Sequence, residues 1–310
     1  MSASLDPVFR LLAVRNLLID QFTAEIVGTF AEEGIESLVL KGPALAEWLY
    51  PGEVRPYSDT DLMVAPGDWD QAVTVLNRLD FSDYLGPMAH PRMESRAGTA
   101  FVRGQDAVDL HCTLHGLFGD PRAVWESFAA GGHVQQIGGA RLRVPNRAAL
   151  LLHVGLHVAH DANGKTLEDL RRAVATADDA LWQEALALAD AHDGVAAFAS
   201  GVRLVPEGVE LARRLGIETV RSSIHEVRSD QVPTAEGVHA LLAPGLGARA
   251  RAAMVASEVF PRPEFMRWWS PLARRGRLGL IASYPCRWGW LAINAPRGLL
   301  AVWRQRRPRR

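Results

Sequence analysis

The sequence predicts an α+β protein: a sheet flanked by helices, then a helical domain. Between residues 35 and 144, short apolar runs of strand length alternate with Gly, Pro and Asp punctuation. From Pro145 to about residue 257 nearly everything has helical periodicity instead. Asp59-Thr60-Asp61, at the entry to one of the apolar runs, places the chemistry in the first region. The expected divisions are residues 1–145 for the acid-bearing domain and its leading helix, 146–260 for the helical domain, and 261–310 for a Trp/Arg-rich tail.

Residues 7–33 open the chain as a long helix with Phe9, Leu12, Leu17, Phe22, Ile26 and Phe30 as its apolar stripe, closed by Gly34. Residues 35–41 read as a short buried strand that Gly42-Pro43 ends sharply, and Pro43 suits the first turn of a helix over 44–49. A second strand carries Asp59, Asp61 and Leu62-Met63-Val64, and a helix over 68–79 packs beside it. Residues 85–98 are loop-like, an ordinary surface loop or a site mouth with His90 and Arg92 as substrate contacts. Phe101-Val102 and 107–114 form one hairpin, and 133–137 with 140–144 another around Gly138-Gly139. Pro145-Asn146 starts the helical region, with breaks at Gly194, Pro206, Gly216 and Pro233.

Side chains alternate along a strand, so Asp59 and Asp61 are expected on one face. Two carboxylates against an apolar sheet repel each other and lose hydration unless a cation sits between them. A divalent hard cation such as Mg²⁺ fits that need; a turn with two solvated aspartates is the plain alternative. The strand, glycine turn and helix start just upstream form a phosphate site, with Lys41 as a nearby point charge and Arg55 as a second cation. A phosphate cradle followed by a metal-binding acid pair is what transfer of a nucleotidyl group requires. In Val108-Asp109-Leu110-His111-Cys112, Asp109 and His111 share a face, and Asp109 is placed as the third acid.

The order Lys-Gly, short helix, Arg, Asp-x-Asp and a later Asp-x-His strand resembles the DNA polymerase β-type nucleotidyltransferase superfamily. More narrowly, it is similar to a bacterial family within it that carries Lys-Gly where Gly-Ser is usual. The resemblance spans residues 5–230 and is specific mainly at 38–64, 107–114 and 150–172. It implies a small mixed β-sheet with flanking helices and movement of an NMP group from an NTP such as ATP to an acceptor: a small molecule, peptide or protein. It further implies Mg²⁺ or Mn²⁺ on Asp59, Asp61 and Asp109, with Lys41, Gly42, Arg55 and Ser58 as the nucleotide and phosphate set. Pro43 stands where a serine commonly meets phosphate. That departure keeps open a second reading, a catalytically weak nucleotide-binding accessory protein of a biosynthetic or toxin–antitoxin operon.

The first helix of the second region carries His153, His157 and His160 at spacings of four and three, which puts three imidazoles on one face. Neither HExxH nor a Cys/His zinc spacing is present. Packing with hydrogen bonds and the lining of a nucleotide or acceptor pocket are the two main readings, with a zinc site a distant third, and the resemblance favours the pocket. His111 joins the lining, and Asp169 on the next helix is expected to orient one of the histidines.

Net charge is −1, which argues against general nucleic-acid binding. Two cysteines, Cys112 and Cys286, make no disulfide framework, and Asp6 and Arg10 interrupt any apolar leader, so a cytoplasmic setting is expected. The tail holds Trp268, Trp269, Trp288, Trp290 and Trp303, five of the nine tryptophans, and ends in an arginine cluster. Pro285, Arg287, Pro296 and Arg297 make a spanning helix expensive. Packing of these tryptophans on the helical domain is the preferred reading, and weak contact of an interfacial helix with a membrane surface is the other.

Overall fold

The computed structural model describes residues 7–84, 97–217, 234–242 and 247–306. His90, Arg92 and the expected break at Pro233 lie outside the described residues. The described residues fall into two compact units, one running to Tyr84 and resuming over 97–217, the other comprising 234–242 and 247–306.

The first unit opens with α1 (Pro7–Glu32), followed by β1 (Ser37–Val39), α2 (Pro43–Leu49), β2 (Thr60–Val64), α3 (Trp69–Arg78) and β3 (Ser82–Asp83). Next come β4 (Thr99–Arg103), β5 (Asp106–His111) and α4 (Pro121–Ala129), then the hairpin β6 (His133–Ile137) and β7 (Ala140–Val144). Five helices complete it: α5 (Arg147–His160), α6 (Gly164–Thr176), α7 (Asp179–Ala191), α8 (Val195–Val202) and α9 (Pro206–Arg214).

The main sheet is mixed, with order β1-β2-β5-β4-β3. β2 and β5 run parallel in its middle, and all other neighbours are antiparallel. Leu38, Leu62, Met63, Val108 and Leu110 are fully buried in it, so the two acid-bearing strands are held in the driest part of the molecule. The stripe of α1 differs from the sequence expectation. Leu17 is 61% exposed, and the buried face starts at Ile19 and runs through Phe22, Ile26 and Phe30. Only the half of the helix from Ile19 onward lies on the core; Leu11, Val14, Leu17 and Leu18 before it face outward.

α5 begins where Pro145-Asn146 signals it, with the Asn146 side chain accepting from the Ala149 N–H. It is buried along nearly its whole length and crosses α8 closely: a Cβ added at Gly201 would fall 1.9 Å from the Gly155 carbonyl oxygen. The glycine there is a requirement of backbone approach, and it fixes the helix that carries the histidines.

The second unit holds α10 (Ala235–Leu241), α11 (Ala248–Val259), α12 (Pro263–Trp269) and the long α13 (Gly276–Arg306), which contains Pro285 and Pro296. No described helix is long and apolar enough to cross a membrane.

Candidate active site

Three side chains on one face of α1 position the acid-bearing segment. Asn16 donates to the Arg55 carbonyl at 2.8 Å, the Tyr57 hydroxyl donates to Asp20 at 2.8 Å, and the Thr23 and Thr60 hydroxyls pair directly. Spacings of four and three keep these anchors in line, and together they hold residues 55–60 against the helix. Asp61 then lies in register with Asp109 across the parallel β2–β5 pair, so the two carboxylates are neighbours on one face of the sheet. Asp59 sits one residue before the strand, and its carboxylate accepts the Ser58 N–H. The Ser58 side chain itself is exposed.

Lys41 follows β1, and its ammonium lies 2.7 Å from Asp61 Oδ1 and 3.4 Å from His157 Nδ1. Gly42 adopts φ 51° and ψ −112°, a conformation that a side chain rarely takes. Space is not the constraint there, since a Cβ would make ordinary contact with the Tyr57 ring at 3.6 Å. The backbone angle requires the glycine, and the angle turns the chain from Lys41 into α2.

The charges at these residues act on one another. Burial pushes Asp61 up, but the Lys41 ammonium beside it outweighs burial and holds the carboxyl well below the ordinary range. Asp109 moves the other way, up to about 6, by burial and then by the Asp61 charge. Burial and Asp61 also raise Asp59, against the opposing charges of Lys41 and Lys165. His153 and His157 are pushed far down by burial and by Lys41, which keeps both imidazoles neutral.

His111 Nδ1 contacts the Ala97 carbonyl oxygen, which can only accept, so this nitrogen carries the hydrogen. In the neutral ring, Nε2 is then a lone-pair acceptor, and it faces Asp61 Oδ1 at 3.5 Å. The Lys41 ammonium already pairs with the Asp61 oxygen, and the ring nitrogen has no hydrogen-bond partner. A buried acceptor open beside two carboxylates is a place for a cation. Asp61, Asp109 and His111 each offer a ligand atom within 4.8 Å of the others. An imidazole held through its other nitrogen by a backbone carbonyl is also the usual support for a metal-binding histidine. The residues therefore fit a divalent cation, and the donor set is two carboxylates and a ring nitrogen.

A family model described as an uncharacterised nucleotidyltransferase matches residues 1–208. The chain belongs to this nucleotidyltransferase family. No curated protein matches it. Among solved structures, the chain is similar to the antibiotic-resistance factor ANT(2'')-Ia in solution, at 17% identity over 58% of this chain and 90% of that one, with a TM-score of 0.39. A crystal structure of ANT(2'')-Ia with adenylyl-2''-tobramycin gives 16% identity over 55% and 97%, with a TM-score of 0.41. An antigenic nucleotidyltransferase-like protein from Paracoccidioides brasiliensis gives 15% over 65% and 93%, with a TM-score of 0.37.

In this nucleotidyltransferase, several residues singled out from the sequence meet at the pocket: Lys41, Asp59, Asp61, Asp109, His111, His153 and His157. The His153 ring centroid lies 6.4 Å from that of His111 and 6.0 Å from that of His157. His160 stacks instead on His115, with ring centroids 4.1 Å apart. Arg55 is 1% exposed and gives both Nε and Nη2 to Asp169, at 2.8 and 2.6 Å. The Tyr50 hydroxyl donates to the same carboxylate at 2.7 Å. Asp169 thus takes Arg55 and Tyr50 where a histidine partner was expected, because the cation before the acid pair outcompetes a neutral ring for a buried carboxylate. Arg55 ties the loop before β2 to α6.

Sequence reasoning missed Lys165, whose charge bears on Asp59 and His157. The signal was available in part, since Asn163 caps α6 through a capping box just after the histidine-bearing helix. Nothing in the sequence pointed to the Ala97 carbonyl that orients His111.

Proposed function

We propose that the chain transfers a nucleoside monophosphate from an NTP, ATP among them, to a hydroxyl, amine or phosphate of an acceptor. The observation that carries this reading is the open His111 ring nitrogen facing the Lys41-paired carboxylate of Asp61, beside the in-register Asp109. Asp59, Asp61 and Asp109 would hold Mg²⁺ or Mn²⁺, with a ring nitrogen added by His111. When bound, the cation supplies charge neutralisation at the reacting phosphorus and the triphosphate.

The chain's own residues do the rest. Lys41 is a cation on a flexible stem, and the NTP draws its ammonium from Asp61 to the triphosphate. Gly42 gives the backbone turn beside that charge. Asp109, raised toward neutral pH, accepts the proton of the acceptor group as its oxygen or nitrogen bonds to the α-phosphorus and the bond to pyrophosphate breaks. Neutral His153 and His157 line the pocket and add no charge to compete with the cation. Arg55 acts through position, by fixing the loop that leads to Asp59. An NTP substrate fits the cytoplasmic setting expected from the sequence.

The test is pyrophosphate release and transfer of α-phosphate label from each NTP, with Mg²⁺ or Mn²⁺ and a metabolite extract as acceptor source. Release that disappears in Asp61→Asn supports the reading. Nucleotide binding with no release from any NTP overturns it in favour of a binding accessory protein, a reading favoured by Pro43 and by the Lys41 ammonium already seated on Asp61.

A further inference from the structure

α13 is built inside out. Its buried stripe recurs at intervals of four or seven residues, and it holds Gly279, Ser283, Arg287, Asn294, Gly298 and Val302, mostly small or polar. Arg287 is 6% exposed, ion-paired to Glu258 at 2.8 Å, and lies over the rings of Phe265, Trp269 and Trp290. The backbone carbonyl of Asn294 accepts the Thr234 hydroxyl, and a Cβ at Gly298 would fall 2.5 Å from that hydroxyl oxygen. The polar side of the helix is therefore the side committed to its own unit. Several of its large apolar side chains point away instead: Leu278 is 82% exposed, Ile281 66%, Ile293 59%, and Leu299 and Trp303 49% each.

At 3.6 residues per turn, Leu278, Pro285, Pro296 and Trp303 fall near the middle of the outward face. Ile281 and Leu299 lie to one side of them, and Ile293 and Leu300 to the other. Arg277 borders the face on one flank, and Arg297 and Arg304 on the other. Apolar side chains in the centre with cations at both margins form the pattern of a helix lying in the plane of a bilayer surface. Charge agrees with that placement. Residues 248–310 hold fourteen arginines, two glutamates and no lysine or aspartate, whereas the rest of the chain has twenty basic and thirty-three acidic residues.

We infer that the outward face of α13 docks on an anionic lipid surface, with Leu278, Ile281, Ile293 and Trp303 entering the interface and the flanking arginines meeting lipid phosphates. A second copy of the chain is a poor occupant, because it would bring the same excess of arginines to the contact. Nucleic acid would match the charge but not the aliphatic face.

The inference does not depend on nucleotidyl transfer, and its test is flotation of the full chain with vesicles. Binding to phosphatidylcholine vesicles containing phosphatidylglycerol should exceed binding to pure phosphatidylcholine at least tenfold and weaken on raising salt. Ile281→Glu with Ile293→Glu should reduce vesicle binding at least tenfold, while circular dichroism stays that of the parent because both sites are exposed. Three outcomes overturn the inference: a folded parent that ignores anionic vesicles at low salt, binding that survives the double substitution, or a dimer dissolved by those substitutions without lipid binding. Retention of the parent on a nucleic-acid column without vesicle binding would likewise replace lipid with a polyanion.

Discussion

Asp61 and His111 face each other across β2 and β5 with a carboxylate oxygen and a ring nitrogen 3.5 Å apart, both buried, the oxygen paired with the Lys41 ammonium and the nitrogen without a hydrogen-bond partner. The contact follows from three levels of the chain. Parallel register sets Asp61 beside Asp109 and Met63 beside His111. The Ala97 carbonyl fixes the ring's tautomer, and burial removes the water that would otherwise satisfy both atoms. Lys41 supplies a positive charge on one side of the Asp61 oxygen, and the ring nitrogen remains open.

If that nitrogen is a ligand, His111→Ala should weaken Mn²⁺ binding by roughly tenfold or more and Mg²⁺ binding less, since imidazole suits the softer ion better. Asp61→Asn should lose both. Calorimetry with each ion alone, on protein freed of metal by chelation, separates these cases; identical affinities in His111→Ala and the parent would remove the ring from the site.

Lys41→Met should weaken NTP binding far more than NMP binding, because only the NTP carries the phosphates proposed to draw the ammonium from Asp61. The same substitution should lower the metal-free melting temperature, as Asp61 would be left buried beside no cation. Equal losses for NTP and NMP would make Lys41 a partner of Asp61 alone.

Much of this arrangement was legible in the sequence, because it rests on local patterns. The glycine turn after Lys41, the alternation through Asp109 and His111, and the Asn146 helix start each depend on a few adjacent residues. What the pattern could not give was the choice of partner. Arg55 and Asp169 are 114 residues apart, and Asn16, Asp20 and Thr23 find their partners only when α1 lies along the loop before β2. The buried face of α13 was illegible for another reason. Apolar residues at helical spacing normally mark the buried face, and here the polar stripe through Arg287 and Asn294 takes that place.

Asp109 gives a pH signature of known sign. In the fold its carboxyl stays protonated up to about 6, whereas in the unfolded chain it ionises near its ordinary value. The native state therefore binds more protons across that window, and stability falls as pH rises through it. Asp109→Asn removes this loss. Metal-free Asp109→Asn should melt above the parent at pH 8 and close to it at pH 4. Asp61 has the opposite sign, since its lowered value gives stability that is present at neutral pH and lost in acid. Asp61→Asn should thus melt below the parent at pH 8. An Asp109→Asn curve parallel to the parent's at all pH values would refute the raised carboxyl.

Arg55 and Asp169 provide the sharpest separation of position from chemistry. Their side chains are 1% and 4% exposed, and they meet through two charge-assisted hydrogen bonds. Removing either partner leaves a buried charge without its counter-ion, at a cost of about 3–5 kcal/mol. Asp169→Leu should be the more damaging single change, because it strands Arg55 and also leaves the Tyr50 hydroxyl without its acceptor. Arg55→Met with Asp169→Leu replaces both charges by apolar groups and should recover much of the loss. Denaturant midpoints for the two single variants and the double give the coupling directly. If Arg55 works by holding the loop before β2, the stable double variant should bind NTP nearly as the parent does. A double variant that regains stability but has lost NTP affinity would show that the guanidinium itself meets the phosphates, and strictly additive losses would deny the pair its bracing role.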